Sequence, residues 1–63
     1  MDVFTVEYGV HGAMRISTRE FETQAEAFGF ARRWSRSNST GHYWAEVTEG
    51  DTVLVRFNLP RPR

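Results

Sequence analysis

His11 and His42 are the side chains of this 63-residue chain best suited to acid–base or metal chemistry near neutral pH. Neither belongs to a ligand pattern. The chain has no cysteine, and no acid stands at the His-Glu-x-x-His spacing that would put two imidazoles on one helix face. His11, between Gly9 and Gly12, reads as a turn residue, and His42 reads as the start of a strand. Ser17, Ser35, Ser37 and Ser39 fall in no nucleophile-elbow sequence. Gly9 and Gly12 are too sparse to cradle a phosphate, and no helix follows them directly. A domain with one helix also offers little room for a pocket that encloses a substrate. The expectation is a protein without catalytic residues, metal or cofactor.

Binding chemistry is better represented. All eight basic residues are arginine, and the chain has no lysine. GC-rich coding explains such a bias, and so does selection for the forked guanidinium that pairs with phosphate and carboxylate. Alternation along the strands places Arg15, Arg19, Trp44 and Arg56 on one sheet face, the expected binding surface. Arginines interleaved with a tryptophan could pair phosphates and stack a base. In the other reading Trp44 packs on the aliphatic stems of Arg15, Arg19 or Arg56 and needs no ligand. Glu7 and Glu46 on that face, and a formal net charge of zero, weigh toward the second reading or toward protein contact. Arg32, Arg33 and Arg36 form a second basic patch on the outer helix face. It reads as a solvated face, a phosphate contact or a site for an acidic protein. Phe21, Phe30 and Trp34 are expected to close the rim of a small core.

The elements that must position these groups follow from period and punctuation. Residues 3–10 alternate with Phe4, Val6 and Tyr8 on one side, the period of a half-buried strand. A second run sets Met14, Ile16 and Thr18 against Arg15, Ser17 and Arg19. Pairing the two through an odd-length loop puts Phe4, Val6, Met14 and Ile16 on one inner face and keeps arginines outside. Thr23-Gln24-Ala25-Glu26 has capping-box spacing and opens a helix to about Arg36. Ala27, Phe28, Ala31, Trp34 and Ser35 share its inner side. Ser37-Asn38-Ser39-Thr40-Gly41 ends it. In the closing hairpin, Tyr43, Ala45 and Val47 face inward with Val53, Val55 and Phe57. A three-residue Thr48-Glu49-Gly50 loop with Gly50 left-handed pairs Ala45 with Val53 and Tyr43 with Val55. The prediction is an α+β fold, β-β-α-β-β, with one helix on a four-stranded, mainly antiparallel sheet over residues 1–59 and an extended Pro/Arg tail at 60–63.

Hydrophobic residues at 40% and charged residues at 25% fit a globular chain rather than a disordered one. No apolar run approaches a membrane span, and residues 1–10 lack the basic start of a signal peptide, so a cytoplasmic protein with no membrane partner is expected. A domain this small buries only about 60% of the surface its unfolded chain exposes, so a homodimer completing the core is a second expectation.

The run Phe21-Glu22-Thr23-Gln24-Ala25-Glu26-Ala27, followed by Phe28, Ala31 and Arg32, resembles short β-β-α-β-β proteins of unknown function from actinobacteria, proteobacteria and their phages. The resemblance implies a small accessory or inhibitory protein that docks on a host or phage macromolecule. The chain also resembles the sheet-then-helix step of plant and integrase-type DNA-binding modules. Those have three strands before the helix where this chain has two, so none of their DNA-reading residues carries over. Function is therefore expected to be non-enzymatic protein binding, to a partner or to self, with nucleic-acid binding through Arg15, Arg19, Trp44 and Arg56 as the alternative.

Overall fold

Each alternating segment becomes a strand, and the capped segment becomes the helix. The protein is described from a computed structural model covering residues 3–37 and 41–58. Its elements are β1 (Phe4–Val10), β2 (Ile16–Phe21), α1 (Gln24–Arg36), β3 (Tyr43–Glu49) and β4 (Thr52–Phe57). The predicted β-β-α-β-β order and α+β class are present. The tail at 60–63 lies outside the described residues.

The strands form one antiparallel sheet in the order β2-β1-β3-β4. β2 and β3 both run antiparallel to β1, so they are parallel to each other with β1 between. α1 is thus the crossover of a split β-α-β unit. The central strands carry the most apolar inward residues, and Val6, Ala45 and Val47 are fully buried. Ala27 and Ala31 of α1 are buried with them, and their small side chains let the helix axis approach the sheet. The Thr23 hydroxyl accepts from the Glu26 amide at 3.2 Å, one half of the expected capping box.

Two registers differ from expectation. In the first hairpin Gly9 opposes Ile16, so residues 10–15 connect the strands rather than an odd-length loop. Val6 then pairs with Arg19, and Phe4 with Phe21. Cross-strand partners share a face, so Ser17, Arg19 and Phe21 face the helix while Met14 and Ile16 leave the core, at 97% and 59% exposure. The cause is the end of β2. The expected register would turn Glu20 inward and Phe21 out, whereas the observed one buries an aromatic ring against α1. Arg19 tolerates its place because β2 is an edge strand: its guanidinium stacks over Phe21 and Phe30, 5.4 and 5.3 Å from the ring centroids.

In the second hairpin Glu49 pairs with Thr52 around a two-residue Gly50-Asp51 turn, and a bulge follows between Val47 and Thr48. Ala45 pairs with Phe57 rather than with the expected Val53, and Val55 pairs with Val47 rather than with the expected Tyr43. The bulge absorbs one residue of β4, so a tight turn and matched apolar faces coexist. Gly50 has φ of 61°, as expected, and as the first central residue of a type II′ turn requires. The extra residue is Leu54, which packs on the core, while Val53 turns outward at 42% exposure. Phe21, Phe30 and Trp34 close the core rim as expected.

Candidate functional site

The corrected first register divides the expected binding surface. Trp44 and Arg56 lie on the open face of the sheet, since Trp44 opposes Gly9 and Arg56 opposes Glu46. Arg19 lies on the helix side with Val6, and Arg15, of the same parity, lines a groove there with Tyr8, Ser17 and Trp34. The four residues do not form one surface.

On the open face, Arg56 Nε donates to Glu46 Oε2 at 2.7 Å, so its charge is already paired. An exposed cross-strand pair of this kind contributes about 0.2–1 kcal/mol. Glu7, Glu20 and Glu46 share this face with that one arginine, so its charge is acidic, the wrong sign for a phosphate chain. Trp44 is half-buried, and the sheet separates it from Arg15 and Arg19. Its indole lies across Gly9, so close that a Cβ there would sit 3.1 Å from the ring and 3.1 Å from the Arg15 carbonyl oxygen. The His11 ring is 6.4 Å away, tilted by 34°. Gly9→Ala is expected to cost on the order of 1 kcal/mol, because the indole can yield and the backbone oxygen cannot. A thermal melt together with altered Trp44 emission checks this.

On the helix side, aromatic rings run in a file from β2 to β3. Phe21 meets Phe30 at 5.4 Å, Tyr8 meets Phe30 at 4.9 Å and Trp34 at 5.0 Å, and Trp34 meets Tyr43 at 4.7 Å. The Trp34 indole N–H donates to the Gly9 carbonyl at 3.2 Å, anchoring the helix to β1. α1 lies mainly over β3 and β1 and covers the two edge strands less, meeting β2 chiefly through Phe30 against Phe21 and Arg19. Where β1 ends and β2 begins lies an apolar groove of about 170 Å³, lined by Tyr8, Val10, Ala13, Arg15, Ser17 and Trp34. Arg15 and Arg19 have no carboxylate partner among the described residues. The same holds for Arg32, Arg33 and Arg36, all exposed on the outer helix.

The chain matches no protein-family model, no curated protein and no solved structure. Its own geometry therefore carries the functional reading. Among the described residues no group of three His, Asp or Glu side chains is placed to hold a metal ion. No described helix is long and apolar enough to cross a membrane.

A polar junction that sequence patterning missed lies at the same end of the sheet, where β1 and β4 finish and β3 begins. His11 Nε2 donates to the Asn58 carbonyl at 2.6 Å, and the His11 amide donates to the His42 carbonyl at 2.7 Å. Asn58 Nδ2 donates to the carbonyls of Tyr43 at 2.9 Å and Ser35 at 3.2 Å. One amide thus ties the end of β4 to the start of β3 and the last turn of α1. The signal in the sequence was the asparagine itself, a residue that after a strand tolerates the left-handed conformation it takes here, φ 58°. Every group in this junction is engaged in holding elements together, so it reads as structural.

Proposed function

We propose that the protein is a non-enzymatic binding module that acts by contact with another protein, and that the contact is centred on β2. One observation supports this above the others: β2 is an edge strand on which unsatisfied surface collects from both sides. Ile16 exposes an apolar side chain on the open face and Met14 exposes another just before the strand, while Arg15, Arg19 and the apolar groove lie on the helix side. Apolar groups beside unpaired guanidinium groups are the composition of a protein interface, where arginine is enriched.

A photo-crosslinking residue at Met14 or Ile16, introduced in the organism that encodes the chain, is expected to give a discrete adduct. That adduct should be lost to protease and unaffected by nuclease. The same residue at exposed Ala25, on the first turn of α1, should give none. A nuclease-sensitive adduct, or equal labelling from Ala25, would reject the proposal.

Nucleic-acid binding is the second reading, favoured by the exposure of Arg32, Arg33 and Arg36 on the same side of the sheet as Arg15 and Arg19. The acidic open face and the zero net charge oppose it. Saturable tryptophan quenching by short oligonucleotides that weakens steeply with salt would favour it.

A further inference from the structure

We infer that the free edge of β2 captures an extended segment of a partner protein that carries acidic side chains on either side of an apolar one. The inference rests on the protein-binding reading and names the chemistry of its partner. The two sheet edges are not equivalent. β4 is broken by a bulge, which bends a strand and spoils it as a template. β2 pairs with β1 in unbroken register over six residues, contains no proline, and has nothing on its outer side among the described residues. Such an edge presents backbone N–H and C=O groups ready to pair with an added strand.

The side chains flanking that edge specify what would be added. Ser17 and Arg19 face the helix side of β2 about 6.5–7 Å apart, and Arg15, just before the strand, lines the groove beside Ser17. An added strand has the same repeat, so three alternate side chains would meet these positions in turn. Two carboxylates would reach Arg15 and Arg19, which no acid neutralises among the described residues. Between them, an aliphatic side chain would enter the groove lined by Tyr8, Ala13, Ser17 and Trp34. The arrangement is symmetric about Ser17, so it suits a segment running in either direction.

A second copy of this chain is a poor occupant. Antiparallel pairing of two β2 strands would gather Arg15 and Arg19 of both copies on one face and both Glu20 side chains on the other. Like charges across strands repel.

The test is a titration of the 15N-labelled full chain with an end-capped heptapeptide of alternating threonine, with Glu, Leu and Glu at its second, fourth and sixth positions. Amide shifts are expected within Ile16–Phe21 and at the Trp34 indole, with affinity roughly tenfold above that for the peptide with lysines in place of its glutamates. The double variant Arg15→Glu/Arg19→Glu should reverse the preference. Should that variant lose its dispersed spectrum, Arg15→Glu alone should at least abolish the preference, since Arg15 makes no ring contact like that of Arg19. Three results would overturn the inference: no β2 shifts at millimolar peptide, equal response to the lysine peptide, or tighter binding of oligothymidylate at the same amides. A protein adduct at Ile16 without response to the peptide would retain the protein-binding reading and remove this partner chemistry.

Discussion

Val6→Lys is expected to leave the chain unfolded, whereas Ile16→Lys is expected to fold as the wild type does. Both positions are β-branched residues in alternating strands of one hairpin, and only the register separates them. Val6 is fully buried in the central strand β1 under α1, where an ammonium meets neither water nor a carboxylate. Such a buried, unpaired charge costs several kcal/mol, comparable to the whole stability of a domain this small. Ile16 is 59% exposed on an edge strand, and its face carries Glu7 and Glu20. Lysine there costs under about 1 kcal/mol and further blunts the edge. Near-ultraviolet dichroism and a thermal melt of each variant check the contrast. If the hairpin had its odd-length loop, both variants would fail alike.

That contrast locates what was legible in the sequence. Element order, the helix from Gln24 to Arg36 and the inward faces of β1 and β3 follow from period and capping, which are local properties of the chain. Register is not local. The choice for β2 set Met14 and Ile16 against Phe21, and the ring won because α1 supplies Phe30 to receive it. An arginine on the helix side looked costly only while it was assumed to be enclosed. At a sheet edge its guanidinium stacks on rings and keeps access to water. The same error joined Arg15 and Arg19 to Trp44 and Arg56 as one surface. In β4 a single bulged residue, Leu54, exchanged places with Val53, which no alternation rule anticipates. The groove beside β2 was not visible at all, because it arises from where α1 lies across the sheet.

Asn58→Asp is the second large effect, and it tests whether one side-chain amide holds three elements together. Nδ2 gives one hydrogen to Tyr43 O and the other to Ser35 O, so the substitution removes both donors and sets a carboxylate against two carbonyl oxygens. The left-handed φ of 58° is not at issue, because aspartate tolerates it nearly as well as asparagine. The Tyr43 carbonyl is exposed and can turn to water, whereas the Ser35 contact is partly buried. Together these terms cost about 2–3 kcal/mol at neutral pH. Asn58→Gly keeps the backbone at ease and loses only the two bonds, so it should lie closer to wild type. The pH dependence separates charge from lost contact. Repulsion by the carbonyls raises the new carboxyl's folded-state pKa above its unfolded value, so the folded state binds more protons and the penalty shrinks as pH falls through that range. A protonated acid then also donates one bond back. Stability of Asn58→Asp measured relative to Asn58→Gly should therefore rise on acidification, and a difference independent of pH would mean that Asn58 acts through its backbone alone.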